Sequence, residues 1–449
     1  MTNGSREQAP TLERTLGLGS VTLTGLAYMA PMIVLGTFGV VAQSSNGTVP
    51  TAYLVTLIAM LFTAYSYGRM ASVYPVSGSA YTYVGKGLGP QLGFLAGWLI
   101  LLDYFFLPLV IWLIGGSYLS AEFPGVPAAA WIIGYITITT ILNVIGIKMA
   151  TRANFFLMAF QLLVLIFFVA LSVVHFVRAD TGASLWSPFF NENTTLEGIS
   201  AGAALAAYSF IGFDAVTTLT EETLNPRRNI PRAVLSTALI AGAIFVVASY
   251  ATQLAHPGAS FADVNSAAFE IATTIGGNFF AAVFLAGLVI TQFASGIAAQ
   301  TTASRLLYVM GRDGVLPSRI FGYLQPRLRT PVFGVVLVGI VGLAGIFLNE
   351  TTSTSFINFG AFSAFTLVNL SVIAHFLRYR PQRGVRAVLM WIAVPFVGAA
   401  IDFYLLLNLA SDAHIIGVTW LTIGLILLAW LTRGFRKPPP QMDIEDKQQ

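Results

Sequence analysis

Three acidic residues fall where an apolar chain has no ordinary use for them. Asp103, Asp214 and Asp402 each lie well inside a long hydrophobic segment, whereas the other 16 of the 19 acids fall at segment ends or between segments. A carboxylate within hydrocarbon is costly unless it is paired or wetted, so it marks a solute or ion pathway. Asp214 belongs to the stretch Tyr208-Ser209-Phe210-Ile211-Gly212-Phe213-Asp214-Ala215-Val216-Thr217-Thr218-Leu219-Thr220-Glu221-Glu222. That stretch holds a glycine and four hydroxyl residues where a simple anchor would carry leucines. Gly212 offers a place for a helix to break and present bare backbone to a solute. Asp103 sits roughly 15 Å into its segment, near the middle of a hydrocarbon core about 30 Å thick. Its neighbours Tyr104 and Trp98 offer aromatic faces to an organic cation. Asp402 lies nearer a segment end and reads as a packing or snorkelling acid.

These carboxylates must be positioned by membrane helices. Of 449 residues, 56% are apolar and only 9% charged, against about 25% charged in soluble domains. The net charge of +4 is scattered between apolar segments, which speaks against a nucleic-acid partner and for a lipid bilayer. With no cysteine there is no thiolate chemistry, and the four histidines form no metal-binding motif. No serine elbow appears either, so neither catalytic nor metal-ligating residues are expected. Met1 to Leu16 is polar and lacks a signal-peptide core, so the first apolar segment should remain as a span.

Hydropathy predicts an all-α polytopic membrane protein with twelve transmembrane spans. They cover 19–44, 50–68, 91–118, 127–147, 154–177, 198–224, 232–255, 279–310, 331–349, 353–377, 386–409 and 414–432. Eleven spans would require one segment to be re-entrant. With both termini in the cytoplasm, 22 of the 23 Lys and Arg face inward and only Arg178 faces out, which supports the twelve-span count and the orientation. Residues 256–278 form an outer loop whose short helix would cap the entrance. The tail beyond Lys437 is polar and expected to lack regular structure.

Spans 1 and 6 are interrupted. Span 1 carries Pro31 followed by Gly36 and Gly39; span 6 carries Gly212. Pro31 removes a backbone donor, and glycines weaken the helix beyond it. Matching breaks five spans apart imply a unit of five helices repeated in inverted orientation, the arrangement of transporter binding sites.

The chain resembles the amino acid–polyamine–organocation family over nearly its whole length, and within it the bacterial putrescine importers. The resemblance rests on Gly25-Leu26-Ala27-Tyr28, Thr37-Phe38-Gly39, Gly78-Ser79-Ala80-Tyr81-Thr82-Tyr83, Leu101-Leu102-Asp103-Tyr104 and Gly212-Phe213-Asp214-Ala215. It rests also on Ser304-Arg305-Leu306-Leu307-Tyr308 through Asp313 and on Ile357-Asn358-Phe359-Gly360-Ala361. It implies the LeuT fold: a 5+5 inverted repeat plus two C-terminal helices, in a bacterial inner membrane. The segments would be a tail (1–16), a first repeat (17–178), a second (198–377), two added helices (378–434) and a tail (435–449). Implied too is alternating access around a site between spans 1, 3, 6, 8 and 10. Two departures bear on substrate. Amino-acid members carry a Gly-Ser-Gly type turn in span 1 for the substrate carboxylate, where this chain has Met32-Ile33-Val34-Leu35. Putrescine importers carry an aspartate where this chain has Gly36.

The expectation is a secondary active importer of a small organic amine, with a neutral amino acid permease as the alternative. Substrate contacts are assigned to Tyr28, Met29, Asp103, Tyr104, Tyr208, Phe210, Phe213 and Asp214. Coupling or gating falls to Asp214, Glu221, Glu222 and Ser295, with Glu221 and Glu222 in a salt-bridge network with Arg227, Arg228 and Arg232. Some family members place a lysine in span 5 to stand in for sodium; here the span has Gln161 and His175 instead. No cofactor is expected. The coupling ion is H⁺, carried by Asp103 or Asp214, or Na⁺ near Ser295 and the carbonyls by Tyr28.

Overall fold

The computed structural model describes residues 14–76, 79–145, 151–179, 184–312, 314–326, 330–379 and 384–440, with side chains of the fifth helix from residue 156 onward. The expected tails before residue 14 and after residue 440, and Gly78 and Asp313 of the quoted motifs, lie outside the described residues, as do many of the counted basic groups.

The described residues are helical, with no strand among them beyond one isolated bridge. Among the described residues, eleven helices are long and apolar enough to cross a membrane: Leu18–Gly36, Val49–Val73, Pro90–Glu122, Ala128–Ile145, Phe156–Ala179, Leu196–Glu222, Pro226–Ala255, Val264–Arg312, Glu350–Tyr379, Val385–Leu407 and Ser411–Leu431. They are spans 1 to 8 and 10 to 12. The expected span 9 is the shorter Val332–Ile346, whose α-helix runs eleven residues before tightening into a four-residue 3-10 turn.

Span 1 breaks where Pro31 requires it. The helix ends at Met29, and Ala30 turns into the left-handed region at φ 45°. A residue before proline is sterically driven out of the α region, which sets this stop. The chain then resumes as Ile33–Gly36 and Phe38–Ser44. Span 6 breaks in the opposite sense. An α-helix, Leu196–Ala206, tightens into a 3-10 turn ending at Phe210; Gly212 turns at φ 115°, and Asp214–Glu222 runs on as a 3-10 helix. A Cβ on Gly212 would lie 3.3 Å from Cβ of Tyr28. Glycine is thus needed there both for its φ and for the close approach of the two breaks.

Helices five apart in sequence meet: span 1 with 6, span 2 along span 7, and span 3 with span 8. Span 10 lies against span 3, and spans 11 and 12 pack outside this group. Span 12 is fastened to span 3 by an indole pair. Trp98 and Trp420 stack at 4.7 Å, and each Nε1–H donates to the other's carbonyl at 2.8 Å. Asp402 is fully buried; its Oδ2 accepts from Thr63 Oγ1 at 2.6 Å and from Asn369 Nδ2 at 2.9 Å. It therefore ties span 11 to spans 2 and 10, and the snorkelling option is corrected: the side chain points inward, where a hydroxyl and an amide donate to Oδ2, while Oδ1 has no partner among the described residues.

Candidate functional site

The two breaks bring Tyr28, Met29 and the residues around Gly212 together. Met29 is buried, while Tyr28 is 58% exposed. Asp103 and Tyr104, both half-buried on span 3, face the same place: the Tyr104 hydroxyl lies in the field of Asp214, Asp103 and Tyr28. Asp103 also lies in the field of Asp214. The structure thus gathers Tyr28, Met29, Asp103, Tyr104 and Asp214 from three spans.

The two carboxylates are held differently. Asp214 turns back onto the amides of Gly212, Asp214 and Ala215 at the start of its 3-10 helix, so its charge is shared with its own loop. Asp103 has no such arrangement: its Oδ1 is buried and has no hydrogen-bond partner among the described residues. Neither forms an ion pair with a described Lys or Arg. Tyr67 and Tyr83 add two more phenols, with Tyr83 beside Thr217 and Tyr67 in the field of both Asp214 and Tyr104. Acids grouped with phenols, and without an ion pair among the described residues, suit an organic ammonium.

Two of the remaining aromatic candidates, Phe213 and Phe210, pack against other rings. Phe213 is fully buried, with its ring 5.8 Å from Tyr67 and 5.3 Å from Phe365. Phe210 packs edge-on to Phe245 at 5.2 Å. Tyr208 is buried just before the break, in the field of Asp103. Ser295 is half-buried on span 8, next to Gly296, which abuts Trp112.

Glu221 and Glu222 lie at the end of span 6, away from the carboxylates. The expected salt-bridge network is corrected: among the described residues no ion pair joins them to Arg227, Arg228 or Arg232. Asn225 turns at φ 49° and starts span 7, whose three arginines then point to the surface. The contact found instead is made by backbone. The amides of Thr15 and Leu16 donate to the Glu222 carbonyl at 3.0 and 2.9 Å, and Leu224 N–H donates to Leu16 O at 2.9 Å. This short parallel bridge joins the chain entering span 1 to the chain leaving span 6.

The opposite face is closed by side chains. Phe38 meets Phe261 at 6.1 Å, and a Cβ on Gly39 would overlap the Val264 carbonyl. The short helix expected in the 256–278 loop exists, running from Ala267 to a kink at Gly277. Tyr53 OH bridges Thr37 Oγ1 at 3.2 Å and Ser209 Oγ at 3.0 Å, linking the far halves of the two broken spans. Two surface cavities lie elsewhere: one of about 280 Å³ beside Asn46 and Gly258, and one of about 610 Å³ beside Arg14, Arg227 and Arg228. Neither includes Asp103 or Asp214.

Sequence reasoning missed Glu350. Hydropathy starts span 10 at 353 and leaves this acid in a loop, but the helix begins at Glu350 and the side chain is 1% exposed. The Asn349-Glu350 pair before an apolar run was the available sign, since asparagine is a favoured helix cap.

The amino acid permease family profile matches residues 19–428. The low-affinity putrescine importer PlaP of Escherichia coli K12 is 39% identical over 436 residues, 96% of each chain. The branched-chain amino acid permease BcaP of Bacillus subtilis is 28% identical, covering 95% of this chain and 94% of its own. The human cationic amino acid transporter 4 is 26% identical over 81% of this chain and 60% of its own. Breaks, buried acids and these likenesses agree: the chain belongs to the amino acid permease family.

Proposed function

We propose that this protein is a secondary active transporter, not an enzyme, that imports a small organic amine such as putrescine or a monoamine. The observation that carries the reading is Asp103 and Asp214, without ion-pair partners among the described residues and both near the Tyr104 hydroxyl where two broken helices meet. The likeness to the putrescine importer PlaP over 96% of the chain supports it. So does the turn after Pro31. The amides of Ile33 and Leu35 already bond to the carbonyls of Ala30 and Met32, which leaves little free backbone for a substrate carboxylate. The contacts of span 1 with 6, 2 with 7 and 3 with 8 support two inverted five-helix units, 17–178 and 198–377, followed by two helices in 378–434. Counting Val332–Ile346 as a short crossing gives twelve spans and places both termini on one side, the cytoplasmic side of a bacterial inner membrane by the charge bias.

In this reading the ammonium rests at Asp103 among phenol faces, and Asp214 shares its charge between the loop amides and the coupling proton. Sodium near Ser295 is the alternative coupling ion. The half-helices Leu18–Met29 and Asp214–Glu222 then move to open the cytoplasmic side while the packed outer face stays shut. Glu221 and Glu222 act there as gate scaffold, through the Glu222 carbonyl. Purified protein in liposomes is expected to accumulate labelled putrescine or butylamine under an inward proton gradient. Asp103→Asn is expected to lower that uptake by about a hundredfold, the scale of leaving a buried charge unpaired. Inhibition by neutral amino acids but not by their decarboxylated amines would transfer the assignment to the second reading, which the 28% identity to BcaP keeps in play.

A further inference from the structure

Glu350 opens span 10, yet it does not cap it. Asn349 does so: its Oδ1 accepts the Thr352 amide at 2.7 Å, and its carbonyl accepts the Ser353 amide at 3.1 Å. The Glu350 carboxylate is therefore free of any helix-end duty. It is 1% exposed, and neither of its oxygens has a hydrogen-bond partner among the described residues. Buried carboxylates are ordinarily hydrogen-bonded or paired, because removing them from water is costly.

Its surroundings do not supply the partner. Tyr53, Tyr118 and Tyr208 all lie in its field. Two of those hydroxyls are already engaged: Tyr53 with Thr37 and Ser209, and Tyr118 donating to the Leu35 carbonyl at 2.7 Å. The other charged group that Glu350 senses is Asp263, a second acid. Gly36, 3.5 Å from the Tyr118 hydroxyl through its carbonyl, contributes no side chain here.

Tyr208 connects this carboxylate to the site described above. It ends the first half of span 6, and its hydroxyl lies in the field of both Glu350 and Asp103. Two carboxylates with an unpartnered oxygen among the described residues, Asp103 on span 3 and Glu350 on span 10, thus both lie near one tyrosine. Resting on the amine reading, we propose that Glu350 is a second anionic subsite, which takes the distal ammonium of an alkane diamine whose other ammonium lies at Asp103.

The test compares 1,4-diaminobutane with butylamine, using the full chain in liposomes and equilibrium competition for each amine. In Glu350→Gln the diamine is expected to bind about tenfold or more weaker, the size of one charge-assisted hydrogen bond, with butylamine changed by less than about twofold. Glu350→Asp, which keeps the charge, should retain part of the preference. Unchanged diamine binding in Glu350→Gln would overturn the proposal. So would an equal loss of both amines in both variants, or a wild type that does not favour the diamine. A wild type that binds neither amine would instead remove the amine reading itself.

Discussion

The two faces of the broken helices are built on different principles. On the face away from the N-terminus, Val34, Leu35, Phe38 and Val41 are wholly buried, and Gly39 lies against the Val264 backbone. On the N-terminal face, Leu18–Met29 packs chiefly on span 7 and on Asp214–Glu222, and Leu23, Tyr28 and Leu224 remain exposed. One face closes by interdigitated side chains, the other by a few backbone hydrogen bonds from Thr15 and Leu16 to Glu222 and from Leu224 to Leu16. Tight packing is rigid and intolerant of added volume, whereas a short bridge of a few backbone hydrogen bonds opens at low cost. The asymmetry makes the N-terminal face the one that gives way first.

The strongest way to break this contrast is Gly39→Ala. The added methyl collides with the Val264 carbonyl, and overpacking of this kind costs about 1–3 kcal/mol. Amine uptake should fall by about tenfold or more, because the sealed state is displaced. Near-normal uptake would show that the seal tolerates volume and that the contrast is wrong. The absence of native cysteine allows a second measurement. Single variants Tyr28→Cys and Phe38→Cys should differ in reactivity toward a water-soluble thiol reagent by about tenfold or more, Tyr28→Cys being faster, since thiol reaction follows access. Equal rates would erase the distinction between faces. The smallest effects concern the bridge. Leu224→Pro removes one amide donor, a bond worth about 1 kcal/mol, and should shift uptake by a few-fold. Glu222→Gln keeps the carbonyl that does the bonding and should stay within about twofold, as expected of a half-buried charge at a helix end without an ion pair among the described residues.

These differences separate what a sequence can announce from what it hides. Pro31 and Gly212 declare the breaks, because each acts through its own backbone. Asp103 and Asp214 declare themselves by charge in an apolar run. Phe210 and Phe213 do not: an aromatic on a broken helix can face the site or the core, and here both rings meet others on neighbouring spans. Glu350 was hidden by a boundary, since hydropathy places span 10 three residues too late. The contact at Glu222 leaves no side-chain trace at all, because amides and carbonyls do the work. Arginines nearby invited an electrostatic reading that the turn at Asn225 denies.

The bridge between Leu16 and Thr223 also changes the number of independent motions. Two half-helices hinged separately, at Ala30 and at Gly212, would each sample their own angles, and productive opening would require the two to coincide. Tied at their ends, they share one coordinate. In the proposed transport cycle a single rotation would then uncover Asp103 and Asp214 together, so exposure of the two carboxylates to the N-terminal face would be one event with one rate.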